Sequence, residues 1–241
     1  MTVNEIKKYS KKEYFSYSFG TFPTFELIRN KADIVEMVLV HSNINEEIYV
    51  KLFQECQQNG IRIIKSNRYI EKVRDKENCI VIGVFNKYLD KLEHYKNHVV
   101  LVNPSDAGNL GTIIRSCIGF GISNLAIIEP SVDIFQPNVI RASMGAIFKI
   151  KIQCFSDFEE YYREYGDERE CYPFMLNGKY HLGTFEHSSE EPYTLIFGNE
   201  ASGLDESFLR VGRSVVIAHT DSIDSLNLAV AAGIGIYEFG K

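Results

Sequence analysis

The chain has 241 residues, with 26 Lys+Arg against 32 Asp+Glu for a formal net charge of −6, and is 45% hydrophobic and 24% charged. That composition excludes collagen-like, disordered and disulfide-scaffold classes, and the length gives one large or two small domains able to bury a core. No run approaches the roughly 18 apolar residues of a membrane span, and residues 1–20, rich in Lys and Tyr, lack the apolar stretch of a signal peptide.

Cutting between Asn97 and His98 separates two unlike parts. Residues 1–97 carry 16 Lys+Arg and 13 Asp+Glu (net +3), and residues 98–241 carry 10 and 19 (net −9). The polar stretch 86–97 reads as a linker or surface helix at the boundary. Within 1–97, apolar runs at 37–41, 61–64 and 79–85 alternate with a helical pattern over 46–58 that Gly60 stops, which predicts a small α/β domain. Lys7, Lys8, Lys11, Lys12, Arg62, Lys65, Arg68, Lys72 and Arg74 are interleaved with Tyr9, Tyr14, Phe15, Tyr17, Phe19 and Tyr69. That mixture suits phosphate contact and base stacking, and equally a solvated face with a frayed tail.

The C-terminal part repeats strand then helix. Apolar runs at 99–102, 125–128, 194–197 and 215–218 each lead into a loop, and helices are expected from near Asn109, Gln136, Asp205 and Asp224. The pattern predicts a parallel sheet covered on both faces, with chemistry at the loops after the strand C-termini. Five scattered cysteines (Cys56, Cys79, Cys117, Cys154, Cys171), none in CxxC spacing, read as reduced thiols of a cytoplasmic protein. The six histidines form no metal-ligand pattern, so no metal is expected. Phosphate-loop, GxGxxG, GxSxG and HExxH motifs are all absent.

Three loops carry the candidate chemistry. In 103–117, Asn109 is placed as an N-cap, and Arg115 lies in an otherwise apolar helix, where it meets solvent, a structural carboxylate or an anionic ligand. In 195–204 a strand runs into Gly198-Asn199-Glu200, with Gly203 close behind. The glycines let a ligand approach the backbone, and Glu200 could hold a hydroxyl or amine. In 215–238, Asp224 or Ser225 can cap a helix of small apolar residues, and Ser225 and Asn227 are suited to local capping.

Taken in order, these loops resemble the SpoU/TrmH family of RNA 2′-O-ribose methyltransferases in the SPOUT superfamily. The resemblance rests on Asn109, Gly111, Thr112, Ile113 and Arg115, on the stretch 141–146 (RASMGA), on Phe197-Gly-Asn-Glu with Gly203-Leu204, and on 225–231 (SLNLAVA). It spans about 130 residues; the N-terminal part resembles more loosely the small RNA-binding domain of rRNA-modifying members. The resemblance implies an α/β fold: a C-terminal parallel-sheet domain with a deep trefoil knot, preceded by a small α/β RNA-binding domain. It implies S-adenosylmethionine as methyl donor, with Gly198, Asn199, Gly203, Ile217, His219 and Leu226 around it. It also implies a homodimer with a composite active site, and RNA as substrate, rRNA in preference to tRNA. Arg115, Asn109, Glu200, Ser225 and Asn227 would be the catalytic set. One departure stands out: the family usually carries Ile-Pro-Met where this chain has Ile217-Ala218-His219, a less rigid loop. A vestigial, non-catalytic RNA-binding factor and a base-directed methyltransferase are the alternatives.

Overall fold

The computed structural model describes residues 5–184 and 191–241; His187 lies outside them. The first elements are β1 (Phe15–Phe19), α1 (Thr21–Lys31), β2 (Val35–Val40), α2 (Glu46–Gln58), β3 (Ile63–Lys65), α3 (Asn67–Val73) and β4 (Val81–Asn86). There follow β5 (His98–Val102), α4 (Ala107–Gly119), β6 (Asn124–Ile128), α5 (Pro137–Ala142), β7 (Lys151–Phe155) and α6 (Phe158–Tyr165). The last are β8 (Glu170–Pro173), β9 (Tyr180–His181), β10 (Tyr193–Phe197), β11 (Val215–Val216) and α7 (Leu228–Phe239). They form two compact units: residues 1–88 with 133–149, and 89–132 with 150–241.

In the first unit the strand order is β1-β4-β2-β3, with β2 and β3 parallel and the other pairs antiparallel. Local chemistry accounts for α2. The Asn45 side chain accepts from the Ile48 amide, Glu46 and Glu47 occupy the first turn, and Gly60 follows the end at φ 67°. The strand β1 was not anticipated. Its Phe15, Tyr17 and Phe19 serve neither base stacking nor a solvated face: they are 1%, 0% and 6% exposed and pack in one core with Met37, Leu39 and Val84. Of those six aromatics only Tyr14 is exposed. Tyr9 and Tyr69 pack against the same core.

Residues 133–149 complete this unit. Phe148 and Phe135 meet Phe85 edge-on at centroid distances of 5.3 and 6.1 Å. Tyr88 Oη donates to Ile147 O (3.1 Å), Ser16 Oγ donates to Phe135 O (2.6 Å), and Arg141 and Lys149 pair with Asp75 and Glu26. The RASMGA stretch is therefore structural. Ser143 is fully buried with its hydroxyl on Ile140 O, and Gly145 has φ 78° where a Cβ would lie 2.7 Å from Glu26 Cβ. The boundary expected at Asn97/His98 falls instead at Tyr88/Leu89, and part of the presumed C-terminal domain belongs here.

In the second unit all strands of the order β7-β6-β5-β10-β8 run parallel. Buried residues of β5, β6 and β10 (Val100, Ala126, Ile196) share one core with Tyr161 and Tyr165 of α6 and with Phe208. The helices α4 and α7 pack against each other. The stretch 89–97 forms no helix. The Leu92 amide donates to Gln153 Oε1, the Glu93 amide to Asn124 Oδ1, and Arg169 donates to the carbonyls of His94 and Lys96, so this charged segment is bound to the parallel sheet. His98 is fully buried between Tyr161 Oη (3.0 Å) and Glu93 O (2.9 Å); burial pushes its pKa down to about 3, and it stays neutral. All five cysteines are free, and no helix among the described residues is long and apolar enough to cross a membrane.

Candidate functional site

Because β5 and β10 are parallel neighbours, with Leu101 beside Phe197, the loops that follow them emerge together. The left-handed turn at Asn103 (φ 52°), a conformation asparagine tolerates, ends β5. Its carbonyl accepts from Asn199 Nδ2 at 2.7 Å. Glu200 then spans the gap to α4. One carboxylate oxygen accepts from the Ser105 amide (3.1 Å) and hydroxyl (2.8 Å), the other from the Asp106 amide (3.0 Å) and Asn109 Nδ2 (3.3 Å). Burial alone would raise its pKa. The Ser105 hydroxyl and the amides of 105 and 106 outweigh it and hold the carboxyl below the usual carboxylate range.

The polar chain continues into the third loop, where Asn227 Nδ2 donates to Asn109 Oδ1 at 3.0 Å. Two capping expectations change. Asp106, not Asn109, caps α4, accepting from the Asn109 amide at 2.7 Å, which frees the Asn109 side chain to bridge Glu200 and Asn227. Asn227, rather than Asp224 or Ser225, caps α7, accepting from the amides of Ala229 and Val230. Glu200, read as a holder of a ligand hydroxyl, has both oxygens committed to the loop at 105–109.

Beside this chain is a cavity of about 340 Å³. It brings together Gly198, Asn199, Glu200, Gly203, Ile217, His219, Ser225 and Leu226, with an apolar wall that includes Phe174, Phe197 and Leu228. Phe174 and Phe197 stack at 4.4 Å. The segment 174–177, which also lines the cavity, was missed from sequence because β8 before it is only four residues long, begins within the charged stretch 167–170 and ends in proline. Ser105 and Asp106 were missed as Glu200's partners, although a Ser-Asp pair ahead of a helix is a capping signal.

Gly198 is fixed by close approach: a Cβ there would lie 2.1 Å from the Gly203 carbonyl carbon and 2.4 Å from its oxygen. No rotamer relieves a clash with backbone. Gly198→Ala is expected to cost about 3 kcal/mol and to lower the thermal midpoint by roughly 6–12 °C, measured by calorimetry.

Arg115 does not line the cavity. It is exposed on α4, nearly two turns beyond Asn109, and forms no ion pair with any described residue. Of the three partners considered for it, no carboxylate among the described residues meets it. Among the described residues no group of three His, Cys, Asp or Glu is placed to hold a metal.

The SpoU rRNA Methylase family model matches residues 96–237. The chain belongs to this family. Over 198 residues it is 27% identical to a 23S rRNA (adenosine(1067)-2′-O)-methyltransferase of Streptomyces laurentii, covering 77% of this chain and 72% of that one. A putative tRNA (cytidine(34)-2′-O)-methyltransferase of Listeria monocytogenes is 30% identical over 148 residues, covering 59% and 85%. Among solved structures, an AdoMet-bound rRNA methyltransferase from Sinorhizobium meliloti shares the fold, with a TM-score of 0.79 at 24% identity over 94% of this chain and 87% of that one. Against three other curated relatives the matched region spans 53%, 27% and 28% of their lengths.

Proposed function

We propose that this SpoU-family chain is an S-adenosylmethionine-dependent methyltransferase acting on a ribose 2′-hydroxyl of 23S-type ribosomal RNA, in the cytoplasm. The carrying observation is Arg115: an exposed guanidinium without a carboxylate partner, on a helix tied through Asn109 to the loops around a small-molecule cavity. The cavity suits the cofactor. Its volume of about 340 Å³ lies in the usual range for small-molecule sites, and its wall offers apolar surface beside closely approachable glycine backbone. When bound, S-adenosylmethionine supplies an already activated methyl group on sulfur.

What remains for the protein is alignment, charge stabilisation and one proton. Arg115 stays protonated and is a poor base. It binds the phosphate next to the target ribose and stabilises oxyanion charge developing on the 2′-oxygen, while phosphate or water takes the proton. Glu200, Asn109 and Asn227 hold α4 and the cofactor loops in register. Ser225 and Asn227 orient the ribose. Gly198, Asn199, Gly203, Ile217, His219 and Leu226 surround the cofactor.

One long match supports ribosomal RNA over tRNA. The match to the Streptomyces rRNA enzyme spans 77% of this chain, more than the C-terminal part alone, whereas that to the Listeria tRNA relative spans 59%. The first unit supports the same substrate. It carries 16 Lys+Arg against 12 Asp+Glu, whereas the second carries 10 against 20. Lys8, Lys11, Lys12, Arg68 and Lys72 are exposed without ion pairs among the described residues, so RNA binding is salt-sensitive.

The fold reading includes a trefoil knot. In its support, β11 pairs with β9, and Ile217 and Leu226 line the same cavity as residues 198–204. A homodimer completes the site. Val230, Ile234 and Tyr237 of α7 are 50%, 39% and 53% exposed, and Phe120 packs its ring 5.5 Å from Tyr237, leaving an apolar stripe that a second copy would cover. Ile234→Asp is expected to convert the dimer to monomer in light scattering and to abolish activity without lowering helix content.

The deciding experiment compares alkaline-cleavage maps of rRNA incubated with protein and S-adenosylmethionine against controls lacking either. A new alkali-resistant linkage is expected. Methyl incorporation without resistance would indicate a base target, and no incorporation a non-catalytic factor.

A further inference from the structure

The polar side chains lining the cavity are those of Asn177, Asn199, Glu200, Ser202, His219 and Ser225. Both Glu200 oxygens are engaged by Ser105, Asp106 and Asn109. Asn199 is used at both ends, its amide on Asn103 O and its oxygen on the amides of Ala201 and Ser202. Of the lining residues, only Glu200 and His219 are ionisable. His219 is exposed at the rim and has no hydrogen bond or ion pair with any described residue.

S-adenosylmethionine ends in an amino-acid arm whose α-carboxylate needs a donor. Backbone amides can donate, but among the lining side chains only His219 can also carry positive charge, and an imidazole N–H facing a carboxylate makes a charge-assisted bond. We propose that His219 recognises the α-carboxylate of the cofactor's amino-acid arm. This rests on the reading of the cavity as an S-adenosylmethionine site. It gives a purpose to an exposed histidine on the cavity rim that has no hydrogen bond or ion pair with any described residue.

The test is calorimetric, on the full chain, with two ligands that share the thioether nucleoside and differ in the arm. S-adenosylhomocysteine keeps the aminocarboxylate; 5′-methylthioadenosine lacks it. In the wild type the first binds more tightly. His219→Ala is expected to weaken S-adenosylhomocysteine roughly tenfold and to leave 5′-methylthioadenosine unchanged. His219→Lys, which restores a cation, should recover most of the loss. A general loosening of the loop would weaken both ligands alike, and that result overturns the assignment, as does unchanged binding of both. Wild-type protein that binds neither ligand overturns the cofactor reading and the His219 assignment with it. Since His219 is exposed, each variant should keep the wild-type thermal midpoint.

Discussion

Arg115→Ala is expected to lower the rate of methyl transfer by about 10²–10³, the cost of losing one donor aimed at a developing oxyanion. The residue is exposed and forms no ion pair among the described residues, so stability should change by no more than about 0.5 kcal/mol. That separation is the informative part. Core substitutions lower activity by unfolding the protein, whereas this one leaves the melting curve in place while the alkali-resistant linkage disappears. Arg115→Lys keeps the charge but loses the planar fork suited to phosphate, and should recover only part of the rate. Wild-type turnover in the alanine variant would remove Arg115 from the mechanism and leave the alignment of α4 without a catalytic purpose.

A fragment of residues 1–97 is expected not to fold, although its composition looks like that of an independent domain. It lacks Phe135, Val139, Ile140, Ile147 and Phe148, each no more than 6% exposed in the intact chain. At about 1.5–3 kcal/mol per buried apolar side chain, their absence forfeits on the order of 10 kcal/mol, as much as the whole stability of an ordinary domain. The ion pairs of Glu26 with Lys149 and of Asp75 with Arg141 are lost as well. Circular dichroism of the fragment should show no cooperative thermal transition. A sharp transition near that of the full chain would mean that 133–149 contributes little.

Legibility from the sequence followed the range of the interactions involved. The helix at 46–58 and the parallel strands were readable because caps, glycine stops and apolar runs act over a few residues. The loops around the cavity were readable for a similar reason: Gly198 and Asn227 are demanded by backbone approach and capping within their own loops. What escaped depended on distant partners. Phe15, Tyr17 and Phe19 alternate with serines beside a lysine-rich tail, and only pairing of β1 with β4 turns them into core. The charged stretch 89–97 looked like a linker because its hold on the sheet runs through Gln153, Asn124 and Arg169, far along the chain. Glu200 was recognised as important and given the wrong kind of partner, since Ser105 and Asp106 lie about 95 residues before it. The family resemblance singled out residues of these loops without disclosing which of them hold each other.

Residues 133–149 also set an order of events during synthesis. Chains emerge from the N-terminus, and early domains ordinarily fold before later ones are made. Here the first unit cannot close until Lys149 is outside the ribosome, by which time β5, α4 and β6 have already appeared. Two half-built units therefore coexist on the nascent chain, with Phe85 and its neighbours uncovered for the time needed to add about sixty residues. Once they are out, slow translation at any point before Lys149 clears the exit tunnel would prolong that exposure, and slow translation after that point would not.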